Sequence, residues 1–138
     1  MARWFLGKTK NRMYSLDFDY SLPQYVVMRH VAEALPLSEP VFFILASLAS
    51  EPRHGYSLLK EIEALSEGRV RLSTGTLYGA LRRLLDEGWI SRFQTEDTSR
   101  EKQTYRLSET GLAVLQQERD RLKQLNRIAA NVLRIREA

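Results

Sequence analysis

Residues 73–88, STGTLYGALRRLLDEG, constrain the fold more than any other stretch, because both ends of a helix are written into them. Ser73 is of the type that caps a helix N-terminus, its hydroxyl accepting from an otherwise free backbone N–H. Gly88 suits the left-handed position just past a helix C-terminus. Between them, at 100° per residue, Leu77, Leu81, Leu84 and Leu85 fall within one arc of about 100°. Thr76, Gly75, Gly79 and Arg83 fall opposite, with Tyr78 and Arg82 on a flank. The leucine side must pack on a core. The outward side is small, hydroxylated and cationic, which suits close approach to an anionic partner.

The neighbouring segments supply that core. LSEPVFFILASLASEP reads as a helix with Ser38 as N-cap and Pro40 in the first turn, where a missing N–H costs nothing. It is apolar almost all round, which predicts the central buried helix. HGYSLLKEIEALSEG predicts a second helix with Leu58, Leu59, Ile62 and Leu65 on one face and Gly68 as terminator, followed by the short extended link RVRLS. Upstream, Val27, Val31 and Leu35 recur at i, i+4 and i+8 between Ser21 and Pro36, predicting an extra N-terminal helix. Residues 1–20 show no period and read as an arm.

After the capped helix, WISRF and QTYRL alternate in period two on either side of the charged stretch QTEDTSREK, the pattern of a hairpin with a solvated tip. A long helix then starts at Ser108. Its Leu112, Leu115, Leu122, Leu125, Ile128 and Val132 recur at three- and four-residue spacing, and a single apolar stripe on so long a helix requires a partner surface. Helix, helix, helix, hairpin is the order of a winged helix-turn-helix domain, with the third helix as recognition element. The expected class is therefore mostly α (α+β). Residues 1–37 form an N-terminal arm and helix, 38–107 the winged helix-turn-helix DNA-binding domain, and 108–138 a C-terminal dimerisation helix.

Composition narrows the chemistry. The 138 residues carry 43% hydrophobic content, enough for one compact domain, and a net charge of +4. With no cysteine there is no disulfide framework and no thiolate site. His30 and His54 lie on different elements without acidic neighbours at ligand spacing, so no metal is expected. Ser15, Ser47 and Ser57 sit in no nucleophile elbow, and no glycine-rich phosphate loop is present. The expectation is a non-enzyme without cofactor. No signal peptide or membrane-spanning run is evident, so the chain reads as cytoplasmic and not membrane-bound.

HGYSLLKEIE, STGTLYGALRRLLDEGWI and YRLSETGLAVL, in this order around a charged wing, resemble the PadR-like family of winged-helix transcriptional regulators. The resemblance covers about residues 38–118. One departure is Gly79, where many relatives carry Pro after the Leu-Tyr. The resemblance implies a homodimer that binds double-stranded operator DNA containing an inverted repeat and often represses. It also implies that a small lipophilic or aromatic effector releases the DNA in some members. Trp4, Phe5, Tyr25 and Leu115 are the apolar residues around which a pocket for it is expected, with core packing as their plainer reading.

On this basis the expected DNA-binding residues are Tyr56, Ser73, Thr74, Thr76, Tyr78, Gly79, Arg82 and Arg83, with Arg100 and Lys102 on the wing. Several have a plainer reading beside the functional one. Ser73 and Thr74 also serve as helix caps, Tyr56 and Tyr78 as packing residues, and the mixed-charge wing tip as a solvated loop. The competing function is a winged helix that binds protein and never DNA. That version should carry apolar residues on the outer face of 73–83, where this chain has hydroxyls, glycine and arginine.

Overall fold

The computed structural model describes residues 31, 33–93 and 103–138. The first helix, α1 (Glu39–Ser50), starts at Ser38, whose Oγ accepts from the Val41 N–H at 3.4 Å. Val41, Ile44, Leu45 and Leu48 are buried, and Phe42 and Phe43 meet edge to face, so α1 is the central helix its composition predicts. The one buried hydroxyl on it, that of Ser47, donates to the Phe43 carbonyl at 2.6 Å and so loses nothing by leaving water.

Helix α2 (Gly55–Leu65) buries Leu58 and Ile62 against α1, with Leu59 partly buried. Leu65, expected on the same face, is 46% exposed as the last residue of the helix. Gly68, in the left-handed region with φ 79°, donates its N–H to the Glu63 carbonyl and ends the helix as expected.

Helix α3 (Thr74–Asp86) has both predicted ends. Ser73 Oγ accepts from the Thr76 N–H at 3.1 Å. At the other end Gly88, with φ 74°, donates to Leu85 O, and Trp89 donates to Leu84 O, both at 3.0 Å. This is the paired-carbonyl stop that a left-handed glycine permits.

Three strands form an antiparallel sheet in the order β1 (Arg53–His54), β3 (Thr104–Leu107), β2 (Ile90–Phe93). Ile90 faces Leu107 and Phe93 faces Thr104 in the wing, while Arg53 faces Tyr105 on the other side of β3. The sequence pattern gives no sign of β1 and assigns His54 to the second helix. Two residues hold no periodicity, and only pairing with distant β3 makes them a strand.

Helix α4 (Glu109–Glu137), 29 residues and thus roughly 44 Å long, is capped by Ser108, whose Oγ accepts from Gly111 N–H at 3.0 Å. Its first three turns bury Thr110, Gly111, Ala113, Val114 and Glu118. Glu118 is 2% exposed and uses both carboxylate oxygens. Oε2 accepts from the Leu37 N–H at 2.6 Å, and Oε1 pairs with Arg121 Nε. Burial pushes this carboxyl's pKa up, but the Arg121 hydrogen bond, the Leu37 N–H and the Arg121 charge outweigh it and hold it below its ordinary value. The pair joins α4 to the segment leading into α1, where Val31 lies in the core. Most of the expected N-terminal helix, and the arm before it, lie outside the described residues.

Candidate nucleic-acid interface

The outward side of α3 begins at its cap. Besides accepting the Thr76 N–H, the Ser73 hydroxyl donates to Thr76 Oγ1 at 2.9 Å, so both its donor and its acceptor are turned inward on the helix end. Thr74 and Thr76 are exposed, as are Gly75 and Gly79. A methyl group built on either glycine would meet nothing within 4 Å, so open space lies directly over the backbone at both. A groove floor can approach the α3 backbone closely there.

Arg82 and Arg83 stand exposed beside this gap, and among the described residues neither has an acidic partner. Other guanidiniums are engaged. Arg53 donates to Ser47 O at 2.8 Å and pairs with Glu51 and Glu61, Arg69 pairs with Glu39, and Arg71 pairs with Glu63. The basic residues of the α2–α3 link are thus held by neighbouring glutamates, while those on the outer face of α3 keep their charge for something else. Asp86, also exposed, is the one carboxylate of α3.

Residues 44–117, more than half of the chain, match the family described as transcriptional regulator PadR-like. The chain belongs to the PadR-like family. Solved structures with the same fold include a PadR family transcription regulator from Clostridium difficile R20291. It is 20% identical with a TM-score of 0.57, covering 70% of this chain and 99% of that one. A PadR family regulator from Eggerthella lenta DSM 2243 is 26% identical with a TM-score of 0.54, covering 79% and 89%. Bacillus subtilis PadR, solved in complex with operator DNA, is 25% identical with a TM-score of 0.51, covering 63% of this chain and 48% of that one. No curated protein matches the chain.

In this PadR-like chain the expected site residues divide by position. Thr76, Gly79, Arg82 and Arg83 share the open side of α3, Ser73 sits at its head, and Thr74, although exposed in the first turn, falls on the leucine side of the helix. Tyr78 does not join them. It is 8% exposed, and its ring lies over Gly55, where a Cβ would stand 2.9 Å from Tyr78 Cζ. At the flank of the leucine arc a tyrosine can turn either way, and the absence of a side chain at Gly55 turns it inward. Tyr56 is 61% exposed at the start of α2, with Lys60 Nζ 4.8 Å from its ring centroid. Lys60 is not among the residues expected from sequence, although its spacing of one helical turn from Tyr56 was a usable signal. Arg100 and Lys102 lie outside the described residues. At the wing's base Arg92 donates to Gln103 Oε1 at 3.2 Å, and the Arg106 guanidinium lies 4.0 Å over the Phe93 ring.

The expected dimerisation residues divide as well. Leu122, Leu125, Ile128 and Val132 are each at least 43% exposed. At 100° per residue, Leu125, Ile128 and Val132 continue the line of buried Val114 and Glu118, and Leu122 flanks it. The face that packs on the domain in the first turns of α4 therefore runs on beyond it without cover from the described residues. Leu115 is partly buried against the core. Leu112 points roughly 155° away from the line, into a 310 Å³ groove shared with Leu48, Pro52 and Leu107. Three- and four-residue spacing links neighbours but drifts over a long helix, which is how Leu112 enters the same stripe in sequence.

Proposed function

We propose that this chain is a homodimeric repressor that binds an inverted-repeat operator by placing α3 in the major groove, and that a small lipophilic or aromatic effector releases it. The observation that carries this is the outer face of α3. Open space over Gly75 and Gly79 is flanked by exposed Thr76 and by two guanidiniums without acidic partners among the described residues, in a member of a regulator family. Bacillus subtilis PadR, whose structure holds operator DNA, lends the partner its class. The N-terminus of α3 would meet a phosphate, Arg83 a guanine edge, and Tyr56, Arg100 and Lys102 the backbone. The face has no apolar cluster, which disfavours the protein-binding alternative.

The dimer would form along Leu122, Leu125, Ile128 and Val132, whose exposure in a single chain supports a second copy as cover. The proposed division is an N-terminal element to residue 37, a DNA-binding domain over 38–107 and the dimerisation helix from 108. No helix among the described residues is long and apolar enough to cross a membrane, and the site of action proposed is DNA in the cytoplasm. Of the residues expected around the effector, Trp4, Phe5 and Tyr25 lie outside the described residues, and Leu115 packs against the core.

Selecting duplexes from a random pool with the purified protein tests the proposal. The expected product is an inverted repeat whose half-sites lie about one turn, roughly 34 to 36 Å, apart. Recovery of no preferred duplex at low salt would end the DNA reading and promote the protein-binding one.

A further inference from the structure

Beyond the apolar packing of Ala113 and Val114, polar contacts tie helix α4 to the rest of the domain near its start and at Glu118. At its start Ser108 Oγ donates to Gly88 O at 2.6 Å and Ser108 N–H donates to Trp89 O at 3.0 Å. Gly111 runs so close beneath that carbonyl that a Cβ would stand 2.9 Å from its carbon. This joint ties α4 to the corner that ends α3. Seven residues on, about 10 Å along the axis, Glu118 grips the Leu37 N–H. Leu37 and Pro36 in turn line a 200 Å³ groove with Arg83, Leu84 and Trp89, so the gripped segment lies against the far end of α3.

A carboxylate is a poor choice for mere adhesion at this spot. Well-packed apolar side chains commonly replace a buried ion pair with no loss of stability, whereas a carboxylate with two directional partners specifies an arrangement. We propose that Glu118 is a positioning residue: its bond to Leu37 sets the angle at which α4 leaves the domain, and with it the separation of the two α3 helices in the dimer. The inference rests on the dimeric reading of the function. Ile128, in the middle of the uncovered stripe, lies seventeen residues beyond Gly111, or about 25 Å. A swing of about 8° about the joint moves the stripe by about 3.4 Å, one base-pair step along DNA. At Glu118 the same swing is only about 1.4 Å, enough to break a hydrogen bond. A bond at this radius, added to the packing of Val114 nearer the joint, therefore constrains the reading heads on the scale of a base pair.

The chain contains no cysteine, so Thr76→Cys, on the exposed side of α3, gives one spin label per protomer in the full-length protein. Pulsed dipolar EPR then reads the separation of the two helices directly. The labelled parent should give one narrow distribution. Adding Glu118→Ala should shift or broaden it by at least about 3 Å, close to one base-pair step. Glu118→Gln keeps an acceptor for the Leu37 N–H and should restore the parental mean. An unchanged distribution in Glu118→Ala overturns the proposal. Should that variant fail to fold, Glu118→Leu, which fills the space but offers no acceptor to the Leu37 N–H, should shift or broaden the distribution likewise, and an unchanged one again overturns it. A labelled parent with no intermolecular coupling removes the dimeric reading itself, and this inference with it.

Discussion

The ring of Tyr78 fills the space in which a side chain on Gly55 would begin. Two residues from different helices thus share one volume, and each explains the other. The glycine opens α2, and the tyrosine leaves the outward side of α3 for the core. Adding a methyl group at Gly55 forces the ring or the helix to move, and such overpacking costs roughly 1 to 3 kcal/mol. Gly55→Ala should lower stability by about that much in urea denaturation. Combining it with Tyr78→Leu should be less damaging than the sum of the two single changes, because the clash vanishes with the ring. Simple additivity would show that the two side-chain volumes do not compete.

Ser108 holds the helix joint with one hydroxyl that accepts from Gly111 N–H and donates to Gly88 O. Ser108→Ala removes the cap and leaves a carbonyl without that donor. The expected loss is about 1 to 2 kcal/mol, read from the denaturation midpoint at unchanged slope. A loss within about 0.5 kcal/mol, the ordinary scatter for a surface change, would mean that water or backbone substitutes fully.

Leu125→Asp with Ile128→Asp should convert the dimer to monomer, since each buried Leu or Ile contributes about 1.5 to 3 kcal/mol and a carboxylate in the seam adds a desolvation cost. Leu112→Asp, away from the stripe, should leave the dimer intact. Sedimentation velocity separates the two, and the opposite pattern would relocate the seam.

Arg83→Ala should cost about 1 to 3 kcal/mol on a selected operator and relax one base position per half-site. Arg100→Ala, on the wing, should weaken all duplexes alike and lower the slope of log K against log salt by about one unit for each phosphate it no longer neutralises. Fluorescence anisotropy over a salt series distinguishes them. Equal behaviour of the two variants would place Arg83 on the backbone and not on a base.

Glu118 also makes stability depend on pH. Its folded pKa lies below its unfolded value, so the stabilisation is present above the unfolded value of about 4.3 and is lost as pH falls through the folded one. The gap in stability between the parent and Glu118→Gln should therefore narrow as the solution is acidified below about pH 4. A gap that stays constant from pH 7 downward would show that the carboxylate gains nothing from Arg121 and Leu37.

What is legible in sequence is what local chemistry determines. Ser73, Gly88 and Ser108 mark their helix ends through bonds to residues a few positions away, and those bonds are present. The alternation in Ile90–Phe93 and Thr104–Leu107 belongs to the strands themselves. What escapes depends on contacts between distant residues. Strand β1 exists only because β3 pairs with it. Glu118 reads as one more charge on a polar helix until Leu37, eighty-one residues earlier, supplies the N–H that makes its burial tolerable. Tyr78 lies at the edge of its arc, and a glycine on another helix decides its side.

Strand β3 is paired on both edges, to β2 through four residues and to β1 through two. A hairpin standing alone would have its register set by its own turn, and each added or deleted residue would risk sliding the strands. Here Arg53 and His54 pair with Tyr105 and Thr104 from the far side, so β3 is placed at its base by a second strand as well as by the hairpin. Between Phe93 and Thr104 the chain can therefore change length while the strands keep their shared base. Because loop closure grows only logarithmically with length, residues can be inserted there at a cost of a few tenths of a kcal/mol. The domain thus has a built-in place where evolution, or an engineer, can lengthen the wing's reach and alter its chemistry without re-specifying the core.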